Sequence, residues 1–278
     1  MILGVDLGTS SLKCVITNLN EKIVCSTSTK LNINQFDGNC FEQNPDDWIV
    51  ALETCLHNLK LENIDFSNIE AISFSAQMLG CIIIDEHDKP IRPAILWNDG
   101  RSYLESQYLE NNFTKELLPS GCRPNPGLLL PKLLWIKNNE PNNFKKIKKI
   151  LLPKDYLKLY LTGSFSTDPS DASGTMLFDL IRKDWNQNLI DELEIDRDWL
   201  PDVHPSDKDI GKIRQTLINK WDFNKKIKII NGAGDNAAAA LGSGIFKDGE
   251  MLITLGTSGV MIMAMDDFSP MIQHNYLT

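Results

Sequence analysis

The chain opens with Ile2-Leu3-Gly4-Val5-Asp6-Leu7-Gly8-Thr9-Ser10-Ser11-Leu12-Lys13-Cys14-Val15-Ile16, two apolar stretches separated by a turn of glycine and small hydroxyl residues. Apolar residues concentrated on each side of such a turn are typical of two β-strands, so the segment predicts a hairpin. A third apolar stretch, Ile23-Val24-Cys25, follows the polar turn at 18–21. The sequence therefore predicts three antiparallel strands in succession at the start of an α/β fold.

The tip of this hairpin occurs twice. Leu7-Gly8-Thr9-Ser10 returns as Leu255-Gly256-Thr257-Ser258, again between two apolar, strand-like stretches. An internal repeat of this kind predicts a fold built from two related units. The first copy begins a segment of nearly 250 residues, whereas about 20 residues follow the second copy. So short a stretch cannot complete a core, so we expect one whole unit and only the beginning of another.

Between the repeats, the pattern predicts further strands and helices. Pro45-Asp46-Asp47-Trp48 predicts the start of a helix, because proline and acidic residues are favoured in the first turn. Strands are predicted at residues 69–75, 81–84 and 227–230, and the region 103–222 is expected to be richer in helix.

Composition and charge exclude several classes of protein. The net charge is −9 and the pI is about 5.0, which argues against a nucleic-acid-binding protein. No apolar run is long enough to cross a bilayer, and the start lacks the basic region of a signal peptide. Six scattered cysteines without a CxxC pair fit a reducing compartment, so we expect a cytoplasmic protein without membrane partners.

The two glycine-hydroxyl turns are candidates for binding phosphate. Glycine permits close approach of backbone amides to phosphate oxygens, and Thr9, Ser10 and Ser11 add hydroxyl groups. Either turn alone would suit an ordinary hairpin, but their recurrence favours phosphate binding. Asp6, at a strand end, could hold Mg²⁺ directly or through water. Lys13 either neutralises phosphate charge or points into solvent.

Asp235 lies where a buried strand meets the small-residue helix that begins after Gly232-Ala233-Gly234. The sequence predicts Asp235 as the N-cap of that helix, with its carboxylate held ionised by the helix start. Asp235 then either serves only as a cap or accepts a proton from a substrate hydroxyl during phosphoryl transfer.

Two polar segments are candidates for binding a sugar. Gln77 follows a predicted strand and could bond to hydroxyls, while Met78 packs either on a sugar face or in the core. Trp97-Asn98-Asp99-Gly100-Arg101 combines an aromatic face with polar groups. It predicts either sugar contacts from Trp97 and Asp99 or a turn with a surface Asp–Arg pair.

Taken together, these segments resemble the FGGY carbohydrate kinases, and within that family the xylulokinases. The similar stretches follow the family's order across nearly the whole chain: 4–10, 42–48, 77–78, 92–101, 131–135, 151–157, 170–176, 234–238 and 255–260.

The resemblance implies an actin-like, hexokinase-like (ribonuclease H-like) ATPase domain, with a mixed sheet and flanking helices. It implies ATP and Mg²⁺ as cofactors and transfer of the γ-phosphoryl group to a sugar hydroxyl, with D-xylulose 5-phosphate as the product. Asp235 falls on the family's catalytic base, Asp6 on the carboxylate near the metal and phosphates, and Asn236 on the sugar side. It also implies a sugar-binding domain at residues 1–242 and the beginning of a nucleotide-binding domain at 243–278, which includes Gly256, Thr257 and Ser258.

Two departures from the family pattern leave alternatives open. Leu79 stands where xylulokinases have a histidine that hydrogen-bonds the sugar, so the substrate is D-xylulose, another ketopentose or a polyol. Family members are about twice as long, so the chain is an active kinase, a non-catalytic sugar-binding remnant, or one half of a kinase whose other half is encoded separately. The apolar stretches 251–254 and 260–263 would then be exposed and favour self-association.

Overall fold

A computed structural model describes residues 1–255 and 259–266. The β-strands are β1 Ile2–Leu7, β2 Ser11–Thr17, β3 Ile23–Lys30, β4 Asn34–Phe36, β5 Cys40–Gln43, β6 Ala71–Ala76, β7 Ile82–Ile84, β8 Ala94–Ile95, β9 Lys149–Leu151, β10 Ser166–Thr167, β11 Phe178–Asp179, β12 Asp184–Trp185, β13 Asp202–Val203, β14 Lys228–Ile229, β15 Ala233–Gly234, β16 Met251–Leu255 and β17 Gly259–Met263. The α-helices are α1 Pro45–Leu61, α2 Tyr103–Asn112, α3 Thr114–Leu117, α4 Leu129–Asn139, α5 Pro141–Phe144, α6 Pro153–Thr162, α7 Pro169–Ser173, α8 Gln187–Glu192, α9 Gln215–Trp221 and α10 Asp235–Gly242.

A six-stranded mixed sheet forms the centre of the molecule. Its strand order is β14-β6-β1-β2-β3, and β15 also pairs with β6. β2 runs antiparallel to β1 on one side and to β3 on the other, which confirms the predicted hairpin and its third strand. β6, β14 and β15 join in parallel, so their carboxyl ends lie at the same edge as that of β1.

Helix α1 covers one face of the sheet and begins as its sequence predicts. Asn44 caps it by accepting a hydrogen bond from the Asp46 amide (3.2 Å), and Pro45 occupies the first turn. The buried positions recur at helical spacing and confirm the predicted apolar face: Trp48, Ala51, Leu52, Cys55, Leu56 and Leu59.

Two groups of buried apolar side chains form the core. The first lies between the central sheet and helices α1, α6 and α9. The second joins α2, α4, α7 and α8 with the short strands β7, β8 and β9. The helix-rich middle is therefore confirmed. It forms the second core together with β7, which was predicted at 81–84, and with β8 and β9, which were not predicted.

Strand boundaries differ slightly from the prediction. β6 begins at Ala71 rather than Ile69, because a short 3₁₀ helix at Phe66–Asn68 delays the entry of the chain into the sheet. Across residues 1–255 and 259–266, none of the helices has both the length and the hydropathy of a membrane span.

Candidate active site

The parallel part of the sheet brings three segments to one edge. Asp6 of β1 pairs with Ser75 of β6, and Ser75 also pairs with Ala233 of β15. The segments that follow these strands therefore leave the sheet side by side. In open α/β folds this carboxyl edge is where ligands bind, so the topology marks a candidate site.

Asp6 and Asp235 stand on opposite sides of β6 at this edge. Neighbouring strands are about 4.8 Å apart, so two strand spacings put β1 and β15 about 10 Å from each other. Burial raises the pKa of Asp6, against the hydrogen bond from Ser75 and the charge of Lys13. Burial also raises the pKa of Asp235, and the charge of Asp6 raises it further. The two carboxylates therefore share one electrostatic environment that no lysine or arginine neutralises fully.

The predicted capping role of Asp235 is wrong. Gly234 is the N-cap of α10, and Asp235 is the first residue within the helix. The Oδ1 atom of Asp235 accepts a hydrogen bond from the Asn236 amide (2.7 Å). This bond favours the charged form, but burial outweighs it, so the pKa of Asp235 is raised rather than held low. A helix-capping role therefore does not explain the presence of an aspartate at position 235.

The first glycine-hydroxyl turn is tied into a polar network. The Gly8 amide donates to the Ser11 carbonyl (3.0 Å), which closes the turn. The Thr9 hydroxyl donates to Oε1 of Gln77 (3.0 Å) and accepts from the indole of Trp97 (3.0 Å). Its only proton is thus in use, so the predicted role of Thr9 as a hydroxyl donor to phosphate does not fit this arrangement. Ser10 is exposed and Ser11 half-buried at the same turn.

The Gln77 side chain bonds to the first turn and is not available to bind a sugar. The side chain is only 2% exposed. It accepts from Thr9, and its amide donates to Oε1 of Gln43 (3.0 Å), which in turn accepts from the Trp48 indole (3.1 Å). A buried amide with partners at both ends has little capacity left for a substrate hydroxyl.

Met78 and Asn236, both expected on the sugar side, come together beside Asp235. Nδ2 of Asn236 lies 3.9 Å from the Met78 sulfur. A Cβ atom added at Gly234 would lie 2.7 Å from the same sulfur. Glycine at 234 therefore makes room for Met78 directly next to the carboxylate.

Leu79 turns away from this group. Its backbone is in the left-handed region (φ 68), and its carbonyl accepts a hydrogen bond from the buried Lys132 (2.9 Å). A Cβ atom on Gly174 would lie 2.2 Å from Cδ2 of Leu79, so the two residues are in close contact. Leu79 therefore packs on the end of α7, which does not favour the predicted position against a sugar.

Trp97 and Asp99 have different surroundings. Trp97 is 43% exposed, and its indole donates to Thr9, so the ring lies beside the first turn. Asp99 is buried, and its oxygens accept from Arg101 (2.9 and 2.8 Å) and from the Phe41 amide (2.6 Å). The predicted sugar contact of Asp99 is therefore not supported. The alternative Asp–Arg pair exists, but it is buried rather than at the surface.

The second turn, Gly256, Thr257 and Ser258, lies outside the described residues. The strands on either side of it, β16 and β17, form the predicted antiparallel pair, with Leu255 opposite Gly259.

Two residues of the site were missed as candidates. Ser75 hydrogen-bonds Asp6, and the Ser170 hydroxyl accepts from the Gly234 amide (2.9 Å). Ser75 sits in register with Asp6, so a correct strand alignment would have found it. Ser170 belongs to a distant helix, and no local pattern marks it.

The donor set suits magnesium held largely by phosphate. Among residues 1–255 and 259–266, no group of three or more metal-ligating side chains is assembled. Asp6 and Asp235 both have raised pKa values, and the charge of Asp6 contributes to the shift of Asp235. Their negative charge is available for a cation to offset. Mg²⁺ is typically bound by one or two carboxylates together with phosphate oxygens and water, and this fits Asp6, the predicted metal-side carboxylate.

Comparison with solved structures identifies the fold. A xyloylose kinase from Brucella ovis superposes with a TM-score of 0.90 at 36% identity, over 93% of this chain and 54% of that one. A gluconate kinase from Lactobacillus acidophilus gives a TM-score of 0.89 at 30% identity, over 94% and 53%. These likenesses confirm the predicted actin-like, hexokinase-like fold.

Sequence comparison then gives the family. The N-terminal domain of the FGGY family of carbohydrate kinases matches residues 1–242, and the chain belongs to this family. The xylulose kinase of Lactococcus lactis is 40% identical over 262 residues, which cover 94% of this chain and 52% of the relative. The chain thus spans about half the length of the curated relatives it matches.

Proposed function

We propose that this chain is the sugar-binding part of an ATP-dependent kinase that converts D-xylulose to D-xylulose 5-phosphate. The observation that carries the proposal is the position of Asp235. Its carboxylate lies at the carboxyl edge of the sheet, within the electrostatic influence of Asp6, with Met78 and Asn236 at its side. A proton acceptor, a phosphate side and a sugar side therefore meet at one place.

Asp235 acts as the general base. It accepts the proton of the sugar hydroxyl as that oxygen attacks the γ-phosphorus. Burial and the charge of Asp6 raise its pKa, which makes the carboxylate a better proton acceptor than an exposed aspartate. Met78 packs on the carbon face of the sugar, and Asn236 bonds to its hydroxyls.

Asp6 serves the phosphate side. Asp6 would hold Mg²⁺, directly or through water, and the metal would supply positive charge against the ATP phosphates. Lys13 lies directly opposite Asp6 in the hairpin and adds a positive charge. Gly8, Ser10 and Ser11 approach the phosphates from the first turn, and residues 256–258 are proposed to do so from the second.

The proposal is tested by ADP release from this chain with D-xylulose, D-gluconate and glycerol as acceptors. Asp235→Asn is expected to lower turnover by about 10²–10⁴-fold, because the proton acceptor is lost. Asp65→Asn is the matched control, since Asp65 caps a remote 3₁₀ helix and asparagine also caps. Near-normal turnover in Asp235→Asn would show that Asp235 is not the general base.

Leu79→His tests which sugar is bound. If position 79 faces the sugar, histidine restores a hydrogen bond and tightens D-xylulose binding by about 1–3 kcal/mol. The close contact of Leu79 with Gly174 favours a smaller gain. Calorimetry with D-xylulose measures the change, and an unchanged affinity would show that position 79 does not read the sugar. Preference for another ketopentose or a polyol would then rest on other residues.

Two further readings differ in their outcomes. A non-catalytic sugar-binding remnant would bind D-xylulose in calorimetry without releasing ADP. One half of a split kinase would release ADP only when a separately encoded second half is added. ATP as cosubstrate and six unpaired cysteines both suit the cytoplasm.

Hairpin β16–β17 offers a surface for association. Its exposed side chains are mainly apolar: Met251, Ile253, Leu255, Met261 and Met263. We propose that this hairpin pairs with a second half or with another copy of the chain, because exposed apolar strands favour such contacts. Self-association should give a larger species for the parent chain than for Ile253→Lys in size-exclusion chromatography with light scattering. A monomer in both samples would refute pairing with another copy.

A further inference from the structure

Helices α6 and α7 bury a group of charged side chains that the proposed reaction does not use. The members of this lysine–aspartate cluster are Lys154, Asp155, Lys158, Asp168 and Asp171, and all five side chains have no solvent exposure. Nζ of Lys154 lies 2.9 Å from Asp168, 3.1 Å from Asp155 and 3.2 Å from Asp171. Buried ion pairs are costly to desolvate, and apolar residues often stabilise a fold as well. The cluster is therefore better explained by what it holds in place.

One connection runs from the cluster to the strand that leads to Asp235. Lys158 donates to the side-chain oxygen of Asn231, which is fully buried. The amide of Asn231 donates to the carbonyls of Thr167 and His204 (2.8 Å each). All polar atoms of this side chain are therefore engaged, and the backbone at position 231 is fixed four residues before Asp235.

A second connection reaches the residue next to Asp235. Asp168 caps α7 by accepting from the Ser170 amide (3.0 Å) and also accepts from the Ser170 hydroxyl (2.5 Å). The oxygen of that hydroxyl accepts from the Gly234 amide (2.9 Å). A continuous path of hydrogen bonds and ion pairs thus joins Lys154 to Gly234.

The segment between the two connections has no freedom to adjust. Gly232 has φ +78, and a Cβ atom there would lie 2.1 Å from the Phe74 carbonyl oxygen. Gly234 is in similarly close contact with Met78. Residues 231–234 are held at both ends and packed tightly between them, so their backbone conformation is fixed.

We propose that the lysine–aspartate cluster positions Asp235, through Ser170 and Asn231. This rests on the proposed function, in which Asp235 is the base. Cluster residues touch neither sugar nor nucleotide and act as positioning residues. They set the distance between the Asp235 carboxylate and the attacking hydroxyl, and a displacement of about 1 Å there costs on the order of 10²-fold in rate.

Ser170→Ala tests the second connection. It removes the acceptor of the Gly234 amide, so kcat is expected to fall by about 10–100-fold while KM for the sugar changes less than about twofold. Ser170→Thr keeps the hydroxyl and is expected to restore most of kcat. Ser173→Ala is the matched control on the same helix, because the Ser173 hydroxyl donates to the Ser170 carbonyl within α7 (2.7 Å) rather than to the segment that leads to Asp235. Equal losses in the Ala and Thr variants of Ser170 would overturn the proposal.

Hydrogen exchange of a peptide covering residues 231–240 gives a readout that needs no activity. The Gly234 amide is expected to exchange at least about tenfold faster in Ser170→Ala than in the parent chain, Ser170→Thr or Ser173→Ala. Lys158→Met, which breaks the bond to Asn231, is expected to speed exchange in the same peptide with Ser170 intact. Unchanged exchange in Ser170→Ala and Lys158→Met would overturn the proposal. A parent chain without kinase activity but with these exchange changes would instead refute the proposed function alone.

Discussion

Aspartates serve opposite purposes in two regions of this molecule. In the lysine–aspartate cluster, two lysines lie within 3.2 Å of the carboxylates, and water is excluded. At the sheet edge, burial raises the pKa of both Asp6 and Asp235, and the charge of Asp6 raises that of Asp235 further. The carboxylates of the first region have lysines in direct contact, whereas at the second region Lys13 only partly offsets the burial of Asp6, and burial and the charge of Asp6 both raise the pKa of Asp235. Carboxylates paired with lysines therefore belong to the buried framework, whereas carboxylates without such partners mark the candidate site.

The largest effect is expected from Lys154→Met, which removes the central cation of the lysine–aspartate cluster. It leaves three buried carboxylates without their shared cation, so the free energy of unfolding should fall by about 3–5 kcal/mol. Urea denaturation measures the loss. Lys149→Met is the control, because the Lys149–Asp88 pair is at the surface and should contribute at most about 1 kcal/mol. A loss in Lys154→Met no larger than in this control would mean that the cluster is not compensated as described.

Asp155→Asn and Asp171→Asn sharpen the comparison inside the cluster. Burial opposes the charge of Asp155, but Lys154 and Lys158 lower its pKa. Burial raises the pKa of Asp171 to about 7. Asp155→Asn should therefore cost about 3 kcal/mol of unfolding free energy, and Asp171→Asn about 1 kcal/mol or less. The reverse order in urea denaturation would contradict this assignment of charge.

Asp171 also predicts a pH dependence. Its pKa rises from the ordinary 3.8 to about 7 on folding, so the folded protein binds this proton more tightly than the unfolded chain. The stability it contributes is complete below about pH 4 and is lost as the pH rises towards 7. The parent chain should therefore lose stability relative to Asp171→Asn as the pH rises across that window, until the variant becomes the more stable of the two. A parent chain that gains stability relative to Asp171→Asn with rising pH would refute the raised pKa.

The smallest expected effect has the opposite sign. Asp235→Asn removes a half-buried charge that Asp6 repels, so it should raise the free energy of unfolding at neutral pH, by less than about 1 kcal/mol. Because the pKa of Asp235 is raised on folding, its destabilising effect is present above that pKa and fades as the pH falls. Thermal unfolding at pH 7 tests this. A clear loss of stability would show that the charge of Asp235 is stabilised by its surroundings, as in the lysine–aspartate cluster.

Sequence reasoning predicted the parts of the fold that local patterns determine. The hairpin, α1 and the strand before Asp235 follow from apolar spacing and turn residues, and the structure has them. Asp235 was found because a carboxylate after a buried strand and glycines is conspicuous. The capping prediction failed because the helix begins one residue earlier than the pattern suggests, with Gly234 as its cap.

Tertiary contacts decided the rest. Lys154, Asp155 and Lys158 lie on an amphipathic helix, where charges normally face water, yet all three are fully buried. Thr9 and Gln77 are plausible ligand-binding residues separately, but 68 positions apart they bond to each other. Asp99 does pair with Arg101, as one of the two alternatives predicted, but the pair is buried because Phe41 and Glu42, far away in sequence, bond to it. Partners distant in sequence cannot be inferred from one chain without its fold.

The parallel pairing of β6 has a consequence for how the chain is made. Its neighbours β14 and β15 emerge from the ribosome about 150 residues after it, so one edge of β6 waits without its final partner. Contacts between such distant segments form slowly, because a long loop must close first. The hairpin that bears Asp6 can fold early in synthesis, whereas Asp235 joins it only after β14 and β15 have been made, so the two carboxylates meet late in biogenesis.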